Sequence, residues 1–342
     1  MKLKHFAAVA LLLCAVSFAW TDNVLVASHT SGSPAIDGDA SDAVWRSATP
    51  LRVPLGYTPY KPSNGYDGVT ETEAVLRAAY DDEKIYFLIQ WDDPTKSLER
   101  YPWVKQADGS WVQSVNKDST GHENTFYEDK FAILWNINSR TFGNVGCAVL
   151  CHMSVDSGSA GRKYTSAPGE TVDMWHWKGV RSAPLGQVDD QFIDDTTDPS
   201  LNRNWGRKGD TKTGGGYYNN ADSEGIRYQN AVAGVVTDGE YWIVDDQKEP
   251  FVDTYQTGDK IAGIIVSPFE GPRADIAAEA VWADGMWTLE VSRDRITTGE
   301  NSEIQDVQFD DLSKSYPFGV AAFDNSQINH VFHWNKLTMV FD

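Results

Sequence analysis

Glu73-Ala-Val-Leu-Arg-Ala-Ala-Tyr80 and Lys84-Ile-Tyr-Phe-Leu-Ile-Gln-Trp91 stand on either side of Asp81-Asp82-Glu83. Two runs rich in aliphatic and aromatic residues around a short acidic turn predict a β-hairpin. The same pattern recurs at both ends of the chain. Asp284-Gly285, a preferred dipeptide for tight turns, joins residues 276–283 to Met286-Trp-Thr-Leu-Glu-Val-Ser292. Asp238-Gly239 separates residues 231–236 from Tyr241-Trp-Ile-Val244 in the same way. Residues 131–135, 260–266, 318–323 and 336–341 supply further strand candidates, and few long helical periodicities compete with them. Strands at this spacing predict an all-β fold, a sandwich of antiparallel sheets. Residues 156–170 and 201–223 are poor in apolar side chains and are expected to be long surface loops. With strand patterns on both sides of these loops and no internal repeat, one domain is expected over residues 20–342.

The N-terminus carries Lys2, Lys4 and His5, then an apolar run, then Ser17-Phe18-Ala19. This is the pattern of a secretory signal cleaved after Ala19, which implies a periplasmic or extracellular product. No later stretch reaches the roughly 20 apolar residues of a membrane-spanning helix. The chain of 342 residues has a formal net charge of −20, which argues against nucleic-acid partners and suits docking to basic proteins. Arg203, Arg207, Lys208 and Lys212 form a local basic exception and are expected to be solvated. Asp189, Asp190, Asp194 and Asp195 cluster without the spacing of an acid/base pair. They are expected to be a solvated face or a loose cation site, which leaves a hydrolase without support.

Cleavage would remove Cys14 and leave Cys147 and Cys151, in Cys147-Ala-Val-Leu-Cys151-His152. A plain disulfide is one outcome for two such thiols in an exported protein. The other is covalent haem, because the c-type attachment C-x-x-C-H places two thioether-forming cysteines before an iron-ligating histidine. Here three residues separate the cysteines, and on spacing alone the two outcomes stand level. A haem also needs a flat apolar slot and, for electron transfer, a second axial ligand. Asp173-Met-Trp-His-Trp-Lys178 could form a wall of that slot, with Trp175 or Trp177 on the macrocycle and His176 beside them. Alternatively, it is an amphipathic strand whose tryptophans enter the core. His330 and His333 would face opposite sides of a regular strand, so only one of them could serve. Met153 is a further possible ligand, placed too near His152 to reach the opposite face of the same iron.

Taken in order, these segments resemble a known family, the haem-binding domain related to the gamma subunits of ethylbenzene dehydrogenase and dimethylsulfide dehydrogenase. The likeness runs through Ile36-Asp-Gly-Asp-Ala-Ser-Asp-Ala-Val-Trp45, Tyr86-Phe-Leu-Ile-Gln-Trp-Asp-Asp-Pro-Thr95 and Tyr127-Glu-Asp-Lys-Phe-Ala-Ile-Leu-Trp135. It continues through Gly146–His152, Asp173–Lys178, Val281–Arg293 and Phe318–His330. The resemblance implies a β-sandwich holding one haem, bound in the catalytic complexes as haem b between a methionine and a lysine. In this chain the first position falls at His152-Met153. The second falls at Asn329-His330, where no lysine stands, and Lys336 is offset. A His152/His330 pair is therefore expected, with Cys147 and Cys151 giving haem c and non-covalent haem b as the alternative. Two imidazoles imply a six-coordinate, low-spin relay without an open site, whose partner would be a multihaem cytochrome or a molybdenum oxidoreductase. A non-catalytic carbohydrate-binding module is the competing function; it shares the Ile36–Trp45 segment but leaves the Cys-His cluster unexplained.

Overall fold

The computed structural model describes residues 23–59, 66–116, 125–150, 163–230 and 241–342. Both well-marked hairpins form where the sequence puts them, Thr72–Tyr80 with Lys84–Asp92 and Ala277–Ala283 with Met286–Asp294. They belong to one 13-stranded sheet. In chain order its strands are β1 (Val24–His29), β2 (Leu51–Leu55), β3 (Thr72–Tyr80), β4 (Lys84–Asp92), β5 (Lys130–Asn136), β6 (Val172–Lys178) and β7 (Asp189–Ile193). The others are β8 (Arg207–Gly209), β9 (Ala277–Ala283), β10 (Met286–Asp294), β11 (Tyr316–Phe323), β12 (Val331–Phe332) and β13 (Leu337–Phe341).

Across the sheet the order is β8-β7-β6-β5-β11-β13-β1-β3-β4-β10-β9, with β2 paired to β3 and β12 to β11. Most pairings are antiparallel, but β1 runs parallel to both β13 and β3. The sheet curls until its two halves face each other. Trp91 of β4 packs on Phe131 of β5, ring centroids 4.8 Å apart, and on Trp177 of β6 at 5.9 Å. Phe87 meets Trp135 and Trp175, each at 5.5 Å. The two layers of the sandwich are thus halves of a single sheet, held by an aromatic core that takes every second residue of each strand. Its far ends almost meet, since Val188 donates its N–H to the Ile276 carbonyl and Ala278 to Gly186.

The Ile36–Trp45 segment has a structural role. Glu290, buried on β10, accepts hydrogen bonds from the backbone N–H groups of Asp37 (3.0 Å) and Gly38 (2.8 Å) and from the Trp45 indole. The expected loop over 201–223 is instead partly stranded. Arg207–Gly209 extends the sheet as β8, and Gly214–Asn219 pairs with Ile264–Glu270 in a smaller sheet. Backbone pairing overrides weak propensity there, because both segments lie against open strand edges. The expected strand over 260–266 breaks at Gly263, which has no room for a side chain beneath the Tyr101 carbonyl. Tyr241–Val244 contributes only Ile243–Val244, paired in parallel with Ile264–Glu270; the other arm of that expected hairpin lies outside the described residues. Among the described residues no helix is long and apolar enough to cross a membrane.

Candidate functional site

Strands β5, β6 and β11 lie side by side, and their alternation divides them into two surfaces. Trp135, Trp175, Trp177, Phe131, Phe318 and Val320 point into the aromatic core. Ala132, Leu134, Met174, Ala321 and Phe323 point outward, yet they too are buried, because other segments cover them. The register makes this outer surface continuous: Ala132 lies opposite His176 and Ala321, and Leu134 opposite Met174 and Gly319.

The cover includes the 3₁₀ turn Cys147–Val149, which follows the short helix Arg140–Val145. Gly146 joins them at φ +97°, and a Cβ there would stand 2.8 Å from the Lys336 nitrogen and 2.9 Å from the Asn335 carbonyl carbon, so only glycine fits. Cys147 is 2% exposed and its sulfur rests on Gly319, where a Cβ would stand 2.2 Å from Sγ. The absent side chain at 319 is therefore what seats the cysteine turn on the sheet.

His330 comes to the same surface from the other side. Its ring lies 4.5 Å from Phe323 and 6.0 Å from Phe332, centroid to centroid. Its Nδ1 is 2.7 Å from the Ile328 carbonyl; a carbonyl can only accept, so Nδ1 carries the proton and Nε2 is the nitrogen with a lone pair to give. Burial pushes the imidazole down to about 3, so it is neutral at ordinary pH. His176 stacks on Phe323 from β6 at 5.6 Å. It is 3% exposed, and neither ring nitrogen has a hydrogen-bond partner among the described residues. Burial, together with Lys178, Lys130, Arg207 and Arg181, drives its pKa well down. Lys130 reaches the same ring, with Nζ 4.1 Å from the Phe323 centroid, and donates to the Gln327 carbonyl at 3.1 Å.

The structure thus gathers Cys147, His176 and His330 on one buried apolar surface, across more than half the chain. It separates other candidates from them. Trp175 and Trp177 lie on the opposite face of β6 from His176, so they are core residues and not a wall shared with it; period-two alternation forbids the shared wall. His333 turns away, donating Nδ1–H to the Pro54 carbonyl at 3.0 Å, as the strand alternation requires. Lys336 is half-buried beside Gly146, with no described contact to His330. Cys151, His152 and Met153 lie outside the described residues, as does His122. His29 ends β1 and is exposed. Asp189 and Asp190 are not solvated: both are fully buried, Asp189 against Lys178 and Arg273. Sequence reasoning missed Phe323, Met174 and Lys130, although Lys130 stands at strand spacing from Ala132 and Leu134.

A sequence profile described as ethylbenzene dehydrogenase matches residues 42–334. The chain belongs to the ethylbenzene dehydrogenase family. That match spans every element of the outer surface just described. No curated protein matches the chain significantly. Among solved structures, it is similar to a family 9 carbohydrate-binding module from Caldicellulosiruptor kristjanssonii in complex with cellotriose, at 10% identity over 93% of each chain with a TM-score of 0.35. A putative carbohydrate-binding protein from Bacteroides uniformis ATCC 8492 matches at 10% identity and TM-score 0.35, over 93% of this chain and 99% of that one. Likeness that distant says nothing of what this family member binds.

Proposed function

We propose that this member of the ethylbenzene dehydrogenase family is a non-catalytic electron-transfer protein that holds one haem against the outer surface of β5, β6 and β11. His330 and His152 would be the residues that hold its iron. The observation that carries this is the state of His330: a buried, neutral imidazole, packed on Phe323 and oriented by a backbone carbonyl through Nδ1. The remaining residues fit such a group. Ala132 and Ala321 keep the surface low, Phe323, Phe332 and Met174 make it apolar, and His176 offers two orphaned nitrogens to a polar edge. The haem, when bound, would supply reversible one-electron transfer. The chain would exclude water from it and fill both axial positions, leaving no site for oxygen or substrate. Cys147 belongs to the same buried cluster as Phe323 and Phe332. Thioether attachment through Cys147 and Cys151 is the linkage we propose, with haem b as the alternative. The partner would be a larger redox protein, a multihaem cytochrome or a molybdenum oxidoreductase complex, met outside the cytoplasm after loss of residues 1–19.

The test is an absorption spectrum of protein made in a cytochrome-maturing host. A sharp Soret band with split visible bands on reduction is expected, and a colourless product refutes the proposal. Acid-acetone extraction then separates attachment modes, since haem c stays on the polypeptide. His330→Ala should convert the spectrum to high-spin while His333→Ala leaves it low-spin; an unchanged His330→Ala spectrum removes that ligand assignment.

A further inference from the structure

On the core side of the sheet, beyond Trp175, five aspartates meet around one cation. Asp173 comes from β6, Asp190 from β7, Asp210 from just after β8, Asp275 from the turn before β9, and Asp306 from the segment before β11. Arg293 of β10 is the guanidinium among them; its Nη1 lies 3.2 Å from Asp173 Oδ2, and both side chains are fully buried. A second guanidinium, Arg273, acts on Asp210 but is already paired with Asp189. The five carboxyls therefore still outnumber the positive charges near them, an excess to be neutralised by protons or by a cation.

Asp190, Asp210 and Asp306 each offer an oxygen, all within 4.8 Å of one another. Their oxygens are unsatisfied in an unusual degree. Asp210 is 2% exposed, and among the described residues neither of its oxygens has a partner outside the acidic group, where it faces Asp306. Asp190 Oδ2 and Asp306 Oδ1 are also buried without partners. From outside that trio, Asp173 commits Oδ2 to Arg293, the Trp175 indole and the Val307 N–H, yet leaves buried Oδ1 with none. Its charge is felt by both Asp190 and Asp210.

A second acidic trio shows the contrast. Asp93, Asp129 and Asp324 are equally close and buried. There, Asp129 accepts from the backbone of Ser97 and Asn325 and from the Trp287 indole, while Asp324 accepts from the Val69 backbone and the Thr95 hydroxyl. Those carboxylates are already spoken for.

We infer that Asp190, Asp210 and Asp306 form a structural site for a hard divalent cation, calcium by preference. The donor set is all oxygen, with no His or Cys to favour a softer metal. The three oxygens lie within 4.8 Å of one another, close enough to share one ion, and calcium's flexible oxygen shell tolerates an irregular protein cage that magnesium, with its near-ideal octahedron, does not. The ion would tie β7, β8 and the Asp306 segment together, holding the edge of the sheet that carries His176's neighbours.

The experiment uses the full chain, stripped with chelator, dialysed against micromolar calcium at pH 7.5, and analysed for bound metal and thermal midpoint. One retained calcium is expected, lost in Asp210→Asn and kept in Asp324→Asn. Chelation should lower the wild-type midpoint by about 5 °C. No retained metal with a chelator-insensitive midpoint overturns the inference and leaves the carboxyls held by shared protons. Loss in Asp324→Asn with retention in Asp210→Asn overturns it too, placing the ion at the other trio.

Discussion

The two faces of β5, β6 and β11 share backbone, register and burial, and differ in nearly everything else. Inward, Trp135, Trp175 and Trp177 interlock with Phe87, Trp91 and Trp287 from the opposite half of the same sheet. Outward, small residues alternate with His176, Met174 and Lys130 beneath a cover of turns. The inner face is closed by large rings that fill volume, and among the described residues the indole N–H groups of Trp91, Trp135 and Trp177 go without a partner there. The outer face instead leaves a titratable ring unmatched: both nitrogens of His176 are orphaned, at a cost that packing alone does not offset. Stability and the proposed binding function are therefore separated by one residue of strand alternation.

The sharpest break of that contrast is Trp175→Ala. It empties the space between Phe87, Trp135 and Phe309 and removes a donor from Asp173, so a loss of about 3–5 kcal/mol is expected in denaturant unfolding. A loss below about 1 kcal/mol would place the indole outside the core. A smaller effect belongs to the seat of the cysteine turn. Gly319→Ala should cost about 1–3 kcal/mol by forcing Cys147 off the sheet. Combining it with Cys147→Ala should recover most of that loss, because the new Cβ then meets nothing nearer than the Cβ of residue 147 at 3.5 Å and its backbone nitrogen at 3.6 Å. Simple additivity of the two changes would show that the sulfur is not the obstacle.

How far this division was legible follows from what local pattern encodes. Asp284-Gly285 and the runs around residues 81–83 announce hairpins because turn chemistry and strand composition are contiguous in sequence. The assignment of residues 318–323 and 131–135 to strands follows for the same reason. The joining of Cys147 to His330 does not, since it depends on Gly319, whose bareness has meaning only once a turn lies over it. The family resemblance nevertheless placed His330 at the ligand position. Asp173–Lys178 shows the limit from the other side: a run of Trp-His-Trp marks a site, but only alternation in the folded sheet decides that the tryptophans and the histidine part company. The aspartates at 189 and 190 read as a solvated face or a loose cation site, because a sequence does not reveal that both are buried, Asp189 against Lys178 and Arg273.

The finest distinction between the faces is electrostatic, and His176 measures it. In the unfolded chain its imidazole takes a proton below about pH 6.5. In the fold, burial and the nearby cations hold the pKa well below that value. Between those two pKa values the unfolded state binds the extra proton, so this residue's contribution to stability falls as pH falls through 6.5 and keeps falling toward the folded pKa. Carboxyls with raised pKa, such as Asp93 and Asp173 at about 8, act in the opposite direction. They are common to wild type and variant, however, and cancel in the difference. In haem-free protein, His176→Leu should therefore gain on wild type by about 1 kcal/mol between pH 6.5 and 5.5, seen as a flatter plot of unfolding free energy against pH. Parallel plots for the two proteins would mean that the His176 ring reaches water or a partner in solution. The outer face would then lose the feature that most distinguishes it from the tryptophan face behind it.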